Sequence, residues 1–253
     1  MAEQTHDDQL NETAELLWGM RAAPTRGPKA TLNVDKIAAA AVGVADAEGI
    51  DNVSMQRVAE SLHFTKMSLY RHVSGKADLI AVMIELAVGE PPDLRRVRGG
   101  WRRRLERWVR SMSATWEEHP WLPGVTVGDR VMGPREMGWT ESAVAALGDT
   151  PLTPTERMDV VTLLSGHIRN TQALDVAGTQ PWHDRSHIDL VREHPDRFPA
   201  LVDYSARQTR TPQQNRDFGL RCVLDGVEKV IDARLTTRDG GDDYAGPLTQ
   251  YRR

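Results

Sequence analysis

The stretch FTKMSLYRHVSGK, residues 64–76, concentrates hydrogen-bond donors on one short predicted helix. Leu69 and Val73 lie four residues apart and define its inner face, so the residues between and before them point outward. The outward residues are Lys66, Met67, Ser68, Tyr70, Arg71 and His72. Lys, Arg and Ser donate to phosphate oxygens or base edges, and a Met side chain contacts a thymine methyl group. These residue types favour binding to double-stranded DNA.

The charge around this helix differs from that of the whole chain. The 253 residues carry a net charge of −4, which argues against a protein that coats nucleic acid over its entire surface. Between residues 54 and 76, however, there is one acid, Glu60, and the bases are Arg57, Lys66, Arg71 and Lys76. A small positive area of this kind is typical of a compact phosphate-contacting module.

Helical periodicity predicts the elements that position this face. Apolar residues recur at steps of three and four over residues 34–49, which indicates a first helix. Ser54 caps a second, short helix, and Thr65 caps the third after a three-residue turn. A fourth helix begins at Ser74 or Gly75. Two short helices joined by such a turn leave the second exposed as a ridge that fits a major groove.

The stretch VAESLHFTKMSLYRHVSGKADLI resembles the N-terminal domain of the tetracycline-repressor (TetR) family of bacterial transcriptional regulators. The specific element is Leu69-Tyr70-x-His72 with Lys76 four residues later, and the resemblance covers residues 32 to about 87. It implies an all-α fold with an N-terminal three-helix DNA-binding domain. The expected parts are a flexible N-terminal arm at 1–31 with room for one short helix at about 10–20, a helix-turn-helix domain at 32–78 and a helical regulatory and dimerisation domain at 79–253.

One residue departs from the family pattern. His63 stands at the turn position where the family usually has Gly. That position often needs a left-handed backbone, which costs a non-glycine residue roughly 1 kcal/mol, although His is among the better-tolerated types. We therefore expect local strain at His63 and an unchanged fold.

The resemblance also implies a role for individual side chains. Ser54, Tyr70 and Lys76 would hold phosphates, and His72 would contact the DNA backbone. Bases would be faced by Gln56, Lys66, Met67 and Ser68, and Thr65 and Arg71 complete the expected DNA-binding set. The alternatives are that Tyr70 covers the domain core, that His72 is a solvated helix end and that Lys76 is an ordinary surface charge.

The segment TRGPKAT, residues 25–31, precedes the first predicted helix of the DNA-binding domain. It places Arg26 and Lys29 around a Gly-Pro pair, and basic arms at such a position can lie in the minor groove. The alternative is a disordered tether with two ordinary charges.

Two apolar helical patterns in the C-terminal part predict a dimer interface. They consist of Val160, Leu163, Leu164, Ile168 and Leu174, and of Leu220, Val223, Leu224, Val227, Val230, Ile231 and Leu235. The resemblance implies that they form a four-helix contact with a second subunit. Two reading helices about 34 Å apart would then recognise a palindrome, whereas one short helix reads too few base pairs.

Aromatic and Met residues of the C-terminal part indicate a ligand cavity. Six of the seven tryptophans lie between residues 101 and 182, and apolar walls near a few polar groups orient small molecules. The predicted lining is Trp116, Trp121, Met137, Trp139, His167 and Asn170. The effector would be an apolar or aromatic small molecule. The alternative is that these residues are ordinary core.

Other classes of function find little support in the sequence. There is no G-x-S-x-G elbow, Walker loop, G-x-G-x-x-G or paired-Cys site, so we expect no enzyme and no cofactor. His183 and His187 are spaced like metal ligands, but a polar loop is the favoured interpretation and no metal site is expected. The single Cys222 is expected to be buried. No apolar stretch is long enough to span a membrane, and we expect a cytoplasmic protein.

The expected function is therefore a sequence-specific, dimeric transcriptional repressor. A small-molecule effector would release it from a palindromic operator by shifting the population toward a form with the wrong spacing of its reading helices. The alternatives are a ligand-independent regulator and a helical protein-interaction adaptor. An adaptor would have an outer helix face without donors, which Lys66, Ser68 and Arg71 contradict.

Overall fold

The structure is a computed structural model that describes residues 2–20, 32–173, 185–207 and 211–240. Within these ranges the chain forms helices and no strand, which confirms the all-α prediction. The helices are α1 (Ala2–Leu17), α2 (Val34–Glu48), α3 (Met55–Ser61), α4 (Lys66–Leu69), α5 (Lys76–Val88), α6 (Gly100–Glu118), α7 (Leu122–Val125), α8 (Pro134–Ala146), α9 (Pro154–Ala173), α10 (Arg185–Glu193), α11 (Pro199–Arg207) and α12 (Pro212–Gly240). Short 3₁₀ turns lie at Ile50–Asn52 and Leu94–Arg96.

Helices α2 to α5 form a small helical unit around one core. The Asn33 side chain accepts a hydrogen bond from the backbone N–H of Lys36 at 2.9 Å and starts α2. The predicted cap of α3 is confirmed, because Ser54 Oγ accepts from the N–H of Arg57 at 3.1 Å. The core of this unit is made of fully buried residues that include Ile37, Ala41, Val58, Leu69, Val73 and Leu79. Burial of these side chains stabilises α3 and α4, which are too short to be stable alone.

The N-terminal helix is longer than the short one expected within a mobile arm: residues 2–17 form helix α1, which packs on α5. Thr13 is buried, and its hydroxyl donates to Asp78 Oδ1 at 2.6 Å. The other oxygen of Asp78 accepts from the N–H of Ser74 at 2.9 Å. Contact with α5 stabilises this helix, whereas its own apolar residues are too few to give a clear period. Residues 21–31 lie outside the described residues.

Helices α6, α8 and α9 build the second core, and α12 packs along α9. Trp108 of α6 lies at its centre with 1% of its surface exposed. Its indole N–H donates to the carbonyl of Trp139 on α8 at 2.9 Å. Leu164 of α9 and Leu224 of α12 are among the buried residues of this core. No helix in the described ranges meets the length and hydropathy that a membrane crossing requires.

Two minor expectations are corrected by the structure. Cys222 is exposed, because Leu224 two residues later faces α9 and a two-residue step on a helix reaches the opposite side. The predicted polar loop around His187 is a helix, α10, from Arg185 onward, while His183 lies outside the described residues. The described residues contain no cluster of three or more metal-ligating side chains.

An ion pair joins α9 to α12. Arg234 of α12 donates to both oxygens of Glu156, at 2.6 and 2.5 Å. Glu156 also accepts from the backbone N–H of Thr153 at 2.8 Å, and the Thr153 hydroxyl accepts in return from the N–H of Glu156 at 3.3 Å. Glu156 therefore both caps the start of α9 and fixes α12 on it.

Acid should weaken this contact. Hydrogen bonds from Arg234 and Thr153 lower the pKa of Glu156 from 4.5 to about 2. A lowered pKa contributes stability that is complete above the ordinary pKa and is lost as the pH falls toward 2. Because about a third of both side chains is exposed, we expect a contribution of only about 1 kcal/mol.

Urea unfolding of the wild type and of Glu156→Gln at several pH values measures this contribution. The difference in unfolding free energy should be present at neutral pH and should shrink between pH 4.5 and about 2. A difference that stays constant over that range would show that the carboxylate charge contributes nothing.

Candidate nucleic-acid interface and regulatory cavity

Helices α3 and α4 form a helix-turn-helix whose turn is left-handed at one residue. His63 has a φ of 58°, as predicted from its place in the turn. The N–H of Phe64 donates to the carbonyl of Ala59 at 2.9 Å, and the N–H of His63 donates to that of Glu60 at 3.1 Å. These two bonds form a Schellman motif, which ends α3 and satisfies its last carbonyls. The hydrogen bonds offset the strain that a histidine carries at this position.

Helix α4 and the turn that follows it hold their inner residues in the core and their outer residues in solvent. Leu69 and Val73 are fully buried, while Met67 is 69% exposed and Tyr70 39% exposed. Exposed neighbours are Thr65, Lys66 and Arg71, and Ser68 and His72 are half-buried. The face predicted to contact DNA is therefore a contiguous, donor-rich surface in the free protein. The contacts themselves stay predictions.

Two pairs of side chains on this face already interact with each other. Lys66 Nζ lies 5.6 Å from the centroid of the Tyr70 ring, which orients the ring through a cation–π contact. Thr65 is the residue before α4, as predicted, but its hydroxyl does not cap the backbone. Instead, Thr65 Oγ1 and Ser68 Oγ share a hydrogen bond of 2.9 Å. This bond holds two hydroxyls beside the exposed Met67.

The flanking candidates differ in how free they are to reach DNA. Gln56 Nε2 donates to Glu60 Oε1 at 2.7 Å, so Gln56 has to leave this partner before it can contact a base. Arg57 pairs with Glu48 through bonds of 2.5 and 3.1 Å, so it adds no free charge to the positive area. Lys76 is exposed at the start of α5, where backbone N–H groups also favour an anion. Ser54 caps α3 and is exposed; Arg26 and Lys29 lie outside the described residues.

Replacing Lys76 with alanine should weaken binding to every duplex alike. The exposed side chain starts α5, so its removal deletes a phosphate contact and leaves the core unchanged. Each lost phosphate contact lowers the slope of log affinity against log salt by about 0.9, so a site that binds two chains should lose about 2. Salt titrations by fluorescence anisotropy measure both quantities, with Arg192→Ala on α10 as the control. An unchanged slope would remove Lys76 from the interface.

A cavity of about 180 Å³ lies between α6, α8 and α9. Its lining includes Val88, Trp108, Met112, Thr115, Trp116, Thr126, Arg130, Met132, Glu136, Trp139, Thr140, Ser165 and Arg169. Of the predicted lining, only Trp116 and Trp139 are present. Trp139 donates its indole N–H to the carbonyls of Val88 and Gly89 at 3.1 and 3.3 Å, which ties α8 to the end of α5.

The other four predicted lining residues lie elsewhere. Met137 is 48% exposed and Asn170 is exposed, because both lie on outer faces of their helices. His167 turns toward α12, where its Nε2 is 2.9 Å from the carbonyl oxygen of Arg216. Trp121 is buried, but it contacts α2. The cavity face of α9 therefore carries Ser165 and Arg169 instead of the predicted His167 and Asn170.

Trp121 and His119 join the C-terminal helices to the DNA-binding unit. The indole N–H of Trp121 donates to Asp46 Oδ1 at 2.7 Å, and His119 Nδ1 lies 2.9 Å from the same oxygen. Asp46 belongs to α2. Sequence periodicity cannot reveal this contact, because the three residues come from segments more than 70 positions apart.

The predicted lining included none of the charged residues that the cavity contains. Arg130 donates to both oxygens of Glu136 within the lining, and Arg169 stacks on Trp116 with its guanidinium carbon 5.1 Å from the ring centroid. Charged residues in a helical sequence usually face solvent, so nothing in the spacing marked them. The signal that was available is the stripe of Trp108, Met112 and Trp116 on α6.

Comparison with known proteins gives consistent matches over both parts of the chain. Residues 37–83 match the family described as bacterial regulatory proteins, tetR family, and residues 92–231 match the tetracyclin repressor-like C-terminal domain. The HTH-type transcriptional repressor DrrR1 of Streptomyces coeruleorubidus is 32% identical over 89% of this chain and 88% of that protein. An HTH-type transcriptional repressor of Mycobacterium tuberculosis is 26% identical over 82% and 84% of the two chains. The structure of ActR from Streptomyces coelicolor in complex with (S)-DNPA has a TM-score of 0.67 and 25% identity, covering 79% of this chain and 98% of that one.

Proposed function

The chain belongs to the TetR family of DNA-binding transcriptional regulators, and we propose that it is a homodimeric, cytoplasmic repressor that a small molecule releases from a palindromic operator. Residues 32–78 read DNA, and residues 79–253 bind the second subunit and the effector. The observation that carries this proposal is the course of α5. This helix begins at Lys76 beside the DNA-reading α4 and ends at Val88 in the cavity wall.

Hydrogen bonds along α5 support coupling between the cavity and the DNA-binding unit. Glu85 of α5 accepts from the backbone N–H groups of Arg135 and Glu136 at 2.9 and 3.0 Å, so it caps α8. Gly133, just before α8, approaches the same carboxylate so closely that an added Cβ would lie 2.2 Å from Glu85 Cδ. A shift of α8 around a bound molecule would therefore move α5 as well.

A second connection runs through α7. Arg169 in the cavity donates to the carbonyl of Pro123 at 2.5 Å and to Thr126 Oγ1 at 2.8 Å, on either side of the end of α7. The neighbouring Trp121 bonds Asp46 of α2. Cavity occupancy can therefore act on the DNA-binding unit through both α5 and α7. An effector that favours the non-binding form by about 3 kcal/mol would weaken operator binding on the order of a hundredfold.

Exposed apolar residues on α9 and α12 support the dimer. Val160, Leu164, Leu224, Val227 and Ile231 are buried within one chain, so these predicted interface residues serve the intrachain contact. Leu163, Val230 and Leu235 remain 59%, 45% and 46% exposed. Leu174 lies outside the described residues. Large side chains of this kind on two adjacent helices are typical of a four-helix subunit contact.

Fluorescence anisotropy tests the proposed function directly. The purified protein is titrated on duplexes that cover the DNA next to its own gene, with a shuffled duplex as the control. We expect tight, palindrome-dependent binding with two chains per site. Equal, weak and steeply salt-dependent binding to both duplexes would contradict a sequence-specific regulator at this locus.

A further inference from the structure

The cavity carries a cation, Arg169, that forms no ion pair with a carboxylate of the described residues. Among the described residues, no Asp or Glu lies within ion-pair distance of Arg169. Its three hydrogen bonds go to uncharged oxygens, of Pro123 and twice of Thr126, and all come from the two terminal nitrogens. The nearby Arg130 is already paired with Glu136. The charges lining the cavity therefore sum to one positive charge.

The surroundings of Arg169 make that charge costly. The guanidinium lies against the face of Trp116, and burial followed by repulsion from Arg130 lowers its pKa. Arg169 is half-buried, so its charge is partly desolvated, and a bound anion would offset part of that cost. The Nε–H, which has no acceptor among the described residues, leaves one edge of the planar group able to donate to an anion.

The walls around this cation are flat and apolar. Trp108 and Trp139 contact each other edge to face, with centroids 6.4 Å apart. Both donate their indole N–H groups to backbone carbonyls, so their rings present carbon surfaces to the cavity. Aromatic walls of this kind pair with aromatic ligands by offset stacking or edge contacts. A cavity of about 150 Å³ holds one benzene ring, so 180 Å³ restricts the ligand to a small ring system.

We infer that the effector is a small aromatic acid whose ring lies against Trp116, Trp108 and Trp139 and whose carboxylate binds Arg169. This inference rests on the proposed function, because it names the ligand class of the regulatory cavity. Thr140 adds a hydroxyl to the lining that makes no hydrogen bond in the described structure, and it can donate to the second carboxylate oxygen.

A matched pair of probes tests the charge requirement. Benzoate and benzamide have nearly the same shape and differ in charge. We expect calorimetric titration of the full-length protein to show that the acid binds about tenfold or more tightly than the amide. Equal affinities, tighter binding of the amide, or no binding of either probe would overturn the inference. This comparison needs no variant, so it does not depend on how a mutated cavity folds.

Substitution of Arg169 tests where the acid binds. In Arg169→Met we expect the preference for the acid to disappear, whereas it should persist in Arg110→Met, an exposed arginine of α6 outside the cavity. Thermal unfolding shows whether the loss of the bonds to Pro123 and Thr126 disturbs the fold. A preference for the acid that survives in a folded Arg169→Met would overturn the assignment of this residue.

The operator assay separates this inference from the proposed function. If the acid binds through Arg169 but leaves operator affinity unchanged, the ligand class holds and the release mechanism fails. If the protein shows no palindrome-dependent binding, the proposed function fails while the preference for the acid is measured independently. If operator binding is specific and the amide binds as well as the acid, only the ligand class fails.

Discussion

A Met67→Glu variant should lose operator binding almost completely while retaining its fold. Met67 is the most exposed large apolar side chain of α4, at 69%, so a charged replacement creates no buried polar group. In the complex, each of the two glutamates would face the negative charge of the DNA. Like-charge juxtaposition at an interface costs several kcal/mol, so we expect a loss in affinity of at least about a hundredfold.

The matched control for this variant is Leu190→Glu. Leu190 is 53% exposed on α10, so the change has the same charge and a comparable starting exposure away from α4. Anisotropy on the operator duplex should show wild-type binding for the control, and circular dichroism should show the same helix content for both variants. If Met67→Glu binds the operator as the wild type does, α4 is not the reading helix.

A Val230→Glu variant should separate the dimer into monomers. Val230 is 45% exposed on α12, beside the buried Val227 that packs on α9. Within one chain the glutamate would remain in solvent, but a twofold contact at this face would bury two of them against each other, without compensation. Because linkage of two reading heads raises affinity by a factor on the order of 10² to 10⁴, operator binding should fall by that factor.

Sedimentation velocity and operator anisotropy measure this outcome. Val127→Glu is the control, since Val127 is 53% exposed and lies outside α9 and α12. We expect a monomer for Val230→Glu and a dimer for the control. A Val230→Glu protein that remains a dimer would place the subunit contact on another surface.

Local patterns were sufficient for the DNA-binding unit. The apolar spacing over residues 34–49, the cap at Ser54 and the left-handed residue His63 all agree with the structure. Each depends on residues within a few positions of one another, where helix geometry leaves few alternatives. The exposed face of α4 follows from the same helical spacing once Leu69 and Val73 are assigned to the core.

The length and packing of the N-terminal helix and the lining of the cavity could not be derived in this way. Helix α1 depends on the buried contact between Thr13 and Asp78, which are 65 positions apart. Trp121 was expected in the cavity, but its indole N–H requires an acceptor when buried and finds it in Asp46 of α2. The aromatic residues of the C-terminal part indicated a cavity, but periodicity alone does not show which side of a helix faces a partner from a distant segment.

The sequence by itself determined the helical class, the helix-turn-helix and the donor-rich face of α4, because hydrophobic spacing and turn chemistry act over short distances along the chain. Only the tertiary structure decided that Arg169 is half-buried beside Trp116 while Asn170, the next residue, is exposed. Adjacent positions on a helix point about 100° apart, so the packing of α9 against α6 and α7 selects which of them enters the cavity.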